Sequence, residues 1–137
     1  EAGRTGGPTG KQQVVAVFSA NMIHIAPWGC CLGLLAGAGR ILTTDPGGSG
    51  ASPGNKTGKQ TTTTAGVLVL YGPFKRHGQH TAPSNESFDQ SLRARDPSWG
   101  VRDLDAVAEA AAARGLDLAG TVEMPANNLI AVFRRRG

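Results

Sequence analysis

Cysteine is nearly absent from this chain. The only two, Cys30 and Cys31, are adjacent. Neighbouring cysteines do not readily bridge each other, and with no second pair there is no zinc site to build. They read as small apolar fillers on a helix. Aromatic residues make up 5% of the sequence, with a single tyrosine, Tyr71. A single-strand nucleic-acid binder interleaves aromatic and basic side chains on one face, which this chain does not supply. No apolar run approaches the roughly 18 residues that span a bilayer. The first residues, "EAGRTGGPTGKQQ", lack the charged-then-apolar pattern of a secretory signal. The expectation is a soluble intracellular protein, placed in the cytoplasm, with neither a membrane nor a nucleic acid as partner. No P-loop is present either. "GNKTGKQT" contains a Gly-Lys pair, but the positions of Gly54, Gly58 and Lys59 miss the required spacing, and Gln60 follows the lysine. His77 and His80 share a Gly-rich loop with no third ligand in view, so no metal is expected.

What is present is glycine, with 20 residues among 137, and a net charge of +4. The length suits one domain with a single core. Three of the positive charges, Arg134, Arg135 and Arg136, close the sequence and read as a solvated terminus. Residues 1–12 have no hydrophobic period and read as a disordered leader. Residues 43–66 carry almost no large apolar side chain and read as a flexible surface insertion.

Between these stretches the pattern is regular. "VVAVFSA" from Val14 and "VLVLYGPF" from Val67 are continuous apolar runs, as strands buried on both faces require. Trp28 to Leu42 reads as a helix after Pro27, with Leu32, Leu35 and Ala36 as its apolar stripe. "SNESFDQSLRARDP" reads as a helix capped by Ser84, with Phe88 and Leu92 on one face. "RDLDAVAEAAAARG" reads as another, capped by Asp103, with Leu104, Val107, Ala108 and Ala111 facing inward and Gly115 ending it. "LDLAGTVEM" and "LIAVFR" are strands joined by the turn "PANN". Strands alternating with helices predict an α/β sheet that is mostly parallel. The last two strands are joined too tightly to be parallel, so the final strand is antiparallel.

Ligands of open α/β sheets bind beyond the carboxyl ends of the parallel strands. "SANMIH", "YGPF" and "PANN" follow the three expected strands and would converge on one edge. Asn127 and Asn128 are then either turn formers, a role asparagine fills by tolerating left-handed backbone, or ligand-facing groups. His24 is either a core histidine or a base. Tyr71 either packs with its hydroxyl at the rim or faces a ligand, and Trp28 and Trp99 are core or pocket walls.

"NMIHIAPW", "YGPFKRHGQHTAPSNESFDQSLRARDPSWGVRD" and "EMPANNLIAVFRR" closely resemble the back half of the methyltransferase-like 26 family of class I, S-adenosylmethionine-dependent methyltransferase-like proteins. The resemblance runs from about Val14 to Arg135, broken at 43–66. It implies the fourth to seventh strands of a Rossmann-like seven-stranded sheet whose last strand is antiparallel. It implies S-adenosylmethionine as cofactor and an unnamed small-molecule or protein methyl acceptor. The loop after the fourth strand would lie beside donor and acceptor. There the resemblance makes Asn21 and His24 the candidate catalytic pair and Asn21 and Met22 the cofactor contacts. Tyr71, Phe74, Asn85, Trp99, Asn127 and Asn128 would contact the substrate. Asp89, Arg102 and Asp103 would help shape a lid, and Arg102 with Asp103 reads equally as a capping ion pair.

The sequence also departs from the family pattern. The Gly-rich turn after the first strand and the acidic residue that holds the cofactor ribose are missing, and the 43–66 stretch is foreign to it. The expectation is a truncated chain that does not catalyse alone, or a non-catalytic fragment that folds against a partner. Its first strand would present an unpaired apolar edge open to self-association.

Overall fold

A computed structural model of the chain describes residues 12–44 and 65–137. The leader expected over 1–12 lies, except for the exposed Gln12, outside them, and so do residues 45–64 of the expected insertion. The flanks of that insertion belong to the framework instead. The Thr43 N–H donates to the Val14 carbonyl at 2.9 Å, and the Gly66 N–H donates to the Thr43 carbonyl at 2.8 Å. Ala65 and Gly66 are buried.

In chain order the elements are β1 (Ala16–Ala20), α1 (Trp28–Ile41), β2 (Val67–Gly72), β3 (Phe74–Arg76), β4 (Gln79–His80), α2 (Pro83–Arg95), β5 (Arg102–Asp103), α3 (Leu104–Ala112), β6 (Leu116–Met124) and β7 (Asn128–Arg135). A 3₁₀ turn, Pro125–Asn127, joins the last two strands. The main sheet has the order β1-β2-β7-β6. β1 and β2 are parallel, and β7 is antiparallel to both β2 and β6. This is the expected arrangement: a mostly parallel sheet whose last strand runs the other way. Among the described residues no helix is long and apolar enough to cross a membrane.

A second sheet, β4-β3-β5, was not expected. Its strands are two or three residues long, too short to show a period in sequence. Asp103 caps α3 as expected, its Oδ1 accepting the Asp105 N–H at 2.8 Å, and its Oδ2 accepts the Gly78 N–H. α2 departs from expectation. It starts at Pro83 behind Ala82, with no side-chain cap, so Ser84 lies inside its first turn and is free for another partner.

Alternation along β2 and β7 sends Leu68, Leu70, Leu129, Ala131 and Phe133 to one face. There they meet Cys31, Leu35 and Ala38 of α1 and Leu104, Val107 and Ala111 of α3 in one continuous core. Each leucine, valine or phenylalanine among them contributes about 1.5–3 kcal/mol by leaving water. The α1 stripe is rotated from the one expected: Cys31 and Ala38 are buried, while Leu32 is 38% exposed. Gly39 allows this packing, because a Cβ there would collide with the Arg114 carbonyl oxygen. The other face of the sheet is less covered. Val67, Val69, Ile130 and Val132 are half-buried, and Phe18 is 65% exposed. Burial on both faces, expected for β1 and β2, therefore holds on one face only.

The basic end of the chain is not simply solvated. Arg135 donates to the carbonyls of Gly39 at 2.8 Å, Gly115 at 3.2 Å and Arg136 at 2.9 Å. Arg136 pairs with Asp117 at the surface. One guanidinium thus joins α1, the α3–β6 turn and β7. Arg135→Met should cost about 2 kcal/mol in urea unfolding, because half-buried carbonyls lose a charged donor. A loss below about 0.5 kcal/mol would show that water replaces the guanidinium without penalty.

Candidate functional site

β1, β2 and β6 run in one direction, so their carboxyl ends share one edge of the sheet. Asn21, Pro73 and the Pro125–Asn127 turn stand just beyond those ends. α2 crosses above them. A cavity of about 340 Å³ lies between, walled by Asn21, Pro73, Asn85, Phe88, Asn127 and Asn128, with Ser84 and Ala126 completing it.

Backbone conformation sets the wall. Asn21 has φ 53°, and its N–H donates to the Tyr71 carbonyl at 2.9 Å, prolonging the β1–β2 ladder by one residue. Ala126 and Asn127 have φ 62° and 58°, which reverses the chain between β6 and β7. Asparagine accepts that region better than most residues, whereas Ala126 is strained there. Side-chain bonds then tie the turn to its neighbours. Asn85 Nδ2 donates to the Asn127 carbonyl at 3.1 Å and to Thr81 Oγ1 at 3.2 Å. Asn127 Nδ2 donates to Ser84 Oγ at 3.2 Å. Asn128 Nδ2 donates to the Tyr71 hydroxyl at 3.1 Å and to the Pro125 carbonyl at 3.3 Å. Asn127 is a turn former with left-handed backbone, Asn128 is the extended first residue of β7 whose side chain ties back to the turn, and both line the cavity.

Other expected residues stand elsewhere. Phe74 is 1% exposed and belongs to the hydrophobic core, so it does not reach the cavity. Trp99 is half-buried in the turn after α2, where its N–H donates to the Asp96 carbonyl. It is not part of the cavity wall. Met22 packs against the core from the β1–α1 loop. His24 is 1% exposed, beneath Gly72, whose Cβ would approach the imidazole Cε1 to 3.0 Å. Its ring meets Phe88 edge to face at 5.8 Å. So placed, it stands behind the Phe88 ring and is not part of the cavity lining. The sequence suggests for Phe88 only packing on α2. Its position three residues after Asn85, on the same helical face, was the signal for its place on the wall.

Two charged residues hold the surroundings. Arg102 donates to the carbonyls of Ile23 at 3.1 Å, Ala26 at 2.8 Å and Ser98 at 2.8 Å, and lies 5.5 Å from the centre of the Trp28 ring. It binds the β1–α1 loop to the segment before β5 and makes no capping pair with Asp103. Asp89 accepts the Val101 N–H at 2.8 Å and Arg93 Nε at 3.2 Å, with His80 Nε2 at 3.4 Å. Burial alone would raise its pKa, but the bonds from Val101 and Arg93 hold it below the ordinary carboxylate value. Burial pushes the Cys31 thiol up to about 11. A second cavity, of about 220 Å³, lies across the same turn and includes Arg76, Glu123 and Met124. Among the described residues no three His, Cys, Asp or Glu side chains cluster to hold a metal.

Burial, and next the nearby Arg102, lower the His24 pKa below its ordinary 6.5. The unfolded chain therefore binds a proton that the folded chain refuses. Stability is complete above pH 6.5 and falls as pH drops below it, at up to about 1.4 kcal/mol per unit. Asp89 contributes its own loss only in a lower window, as pH falls below 3.8. Urea unfolding between pH 7.5 and pH 5 (about 0.5-unit steps suffice) should show the first slope, and His24→Asn should flatten it. An unchanged slope in that variant would assign the loss to another group.

The fold has known counterparts. The chain is similar to an O-methyltransferase family 2 protein from Planctomyces limnophilus DSM 3776 in complex with apigenin, with a TM-score of 0.67 and 13% identity over 91% of this chain and 31% of that one. It is similar to CalO1, a methyltransferase in calicheamicin biosynthesis in its SAH-bound form, with a TM-score of 0.64 and 13% identity over 91% and 31%. It is also similar to a pericyclic reaction enzyme, with a TM-score of 0.65 and 14% identity over 90% and 27%. The chain spans less than a third of the length of each of these structures. Its fold is thus methyltransferase-like and corresponds to one part of those larger proteins. In sequence it matches the family described as "Protein of unknown function (DUF938)" over residues 2–64 and 55–135, and to that family the chain belongs.

Proposed function

We propose that this chain is a methyltransferase-like 26 protein and forms the acceptor side of an S-adenosylmethionine-dependent methyltransferase site. One observation carries this reading: the ends of three parallel strands converge on a single cavity walled by Asn21, Asn85, Asn127 and Asn128. S-adenosylmethionine supplies an electrophilic methyl group on a sulfonium. The wall suits that end of the cofactor, because it presents neutral amides and the Phe88 ring and no basic side chain that would repel a cation. Asn21, just beyond β1, would hold it, while Met22 packs against the core outside this wall. No carboxylate lines the cavity to take a ribose, so the rest of the cofactor needs groups from outside this wall.

The chain's own part is positioning. Asn128 is braced by Tyr71 and Pro125, and Asn85 by Thr81 and the turn backbone, so their amides orient an acceptor without rearranging. His24, neutral and buried, acts by supporting Gly72 and Phe88 rather than as a proton acceptor.

Calorimetric titration with S-adenosylhomocysteine, beside a circular dichroism spectrum, tests the reading. Weak binding by the folded chain is the expected result, because the ribose and the rest of the cofactor find no partner in this wall. A folded spectrum with no heat of binding would remove cofactor recognition from this chain. In a longer family member that turns over, replacing the residue matching Asn128 with alanine should cost tenfold or more in activity but about 1 kcal/mol in stability. Matched losses would return "PANN" to a turn and nothing else.

The exposed Phe18 on β1 favours a second reading, a non-catalytic module that completes its sheet against another copy of itself. Among the described residues β1 has β2 as its one strand partner in the sheet. Sedimentation of the chain should then show dimers that Phe18→Lys disperses. A monomer at every concentration would exclude this reading.

A further inference from the structure

We infer that the 340 Å³ cavity selects a ligand group that donates several N–H hydrogen bonds, a primary amine or its ammonium form, and discriminates against anions. The inference rests on the acceptor-site reading above and names the class of acceptor.

The amide hydrogens set the polarity of the wall. Asn85 Nδ2 makes two bonds, to Thr81 Oγ1 and to the Asn127 carbonyl. A main-chain carbonyl can only accept, so this contact fixes which end of the Asn85 amide is nitrogen. Asn128 Nδ2 also makes two bonds, to the Tyr71 hydroxyl and the Pro125 carbonyl, and the second fixes its orientation in the same way. Asn127 Nδ2 is directed at Ser84 Oγ. Both Nδ2 hydrogens of Asn85 and Asn128 are therefore committed to the protein, and one of the two on Asn127. Their Oδ1 atoms remain to meet a ligand, each with two lone pairs.

The backbone reinforces the asymmetry. The Asn21 N–H is held by the Tyr71 carbonyl, and the Asn85 N–H by the Ala82 carbonyl. Pro73 has no N–H to give. No lysine, arginine or histidine stands in the wall. An anion entering this cavity would meet the acceptor ends of the Asn85 and Asn128 amides and no cationic side chain. An ammonium finds amide oxygens and the Phe88 ring. A hydroxyl offers one hydrogen to a wall that takes several, which favours nitrogen over oxygen.

The test uses the full chain and three simple probes, followed through the ¹⁵N-labelled side-chain amides of its asparagines. These are butylammonium, butyrate of similar length, and trimethylsulfonium, a cation without N–H. Butylammonium should shift the Asn85, Asn127 and Asn128 amides and bind at least tenfold more tightly than either other probe. Asn21→Asp, a side chain that also tolerates left-handed backbone, should tighten butylammonium about tenfold. Butyrate binding as well as the amine would overturn the inference. Equal binding of trimethylsulfonium would show selection for charge rather than for N–H donors and overturn it too. So would the absence of any shift at about 50 mM amine, which would reveal even millimolar affinity. Titration with S-adenosylhomocysteine separates the two levels. Amine selectivity without its binding keeps this inference and removes the methyltransferase reading. Its binding, combined with a preference for butyrate, does the reverse.

Discussion

The antiparallel insertion of β7 between β2 and β6 is the constraint on which the rest depends. A strand entering the sheet against its neighbours must begin where they end. The first residue of β7, Asn128, is therefore placed beside the last residues of β2 and β6. The connection is short, so Ala126 and Asn127 have to take left-handed backbone to make it. The asparagines of the turn are thus first a solution to chain reversal. Their location at the ligand edge follows from strand direction, not from a separate device. α2 reaches the same edge through Asn85 and Ser84, so the chain reversal, the start of α2 and the cavity share one set of hydrogen bonds.

Much of this was legible in the residues, for reasons that can be named. β2, β7 and α3 carry apolar patterns long enough to reveal their period, and the turn between β6 and β7 forces antiparallel pairing. From those facts alone the convergence of "SANMIH", "YGPF" and "PANN" could be placed at one edge. What could not be read was set by partners distant in sequence. β3, β4 and β5 exist only because Phe74–Arg76 finds Gln79–His80 and Arg102–Asp103. The family resemblance implies Phe74 as a substrate contact, but Gly72 and Pro73 turn the chain and send its ring into the core. Ser84 looked like a cap, until Pro83 took the first helical position and left its hydroxyl to Asn127.

Charge was the least legible property. "FRRRG" reads as a solvated basic tail, and a run of arginines gives no hint of which one turns inward. Arg135 does, because α1 and the α3–β6 turn both present carbonyls to the end of β7. Arg102 behaves alike, satisfying three carbonyls around the loop after β1. Both guanidiniums act as rigid forks for main-chain oxygen, a use for which the fixed planar geometry of arginine is suited and that of lysine is not. The consequence for the site is indirect but real. The loop carrying Asn21 is held from below by Arg102, so the cavity wall on that side is fixed before any ligand arrives.

The fold itself decides little about the reaction, since a pericyclic reaction enzyme shares it with methyltransferases. What decides is the chemistry presented at the strand ends. Here the need to satisfy amide hydrogens inside the protein determines what is left over. Among the described residues, each Nδ2 drawn into bracing the turn leaves an Oδ1 with no protein donor, and an amide oxygen so left favours a ligand that brings one. The same bonds that make β7 possible therefore bias the cavity toward ligands that bring hydrogens. The polarity of the site is then a by-product of folding, fixed by the orientation of two amides against the main-chain carbonyls of Pro125 and Asn127. Reversing either amide would break a bond that holds the turn, so the preference cannot relax without loosening the fold that creates it.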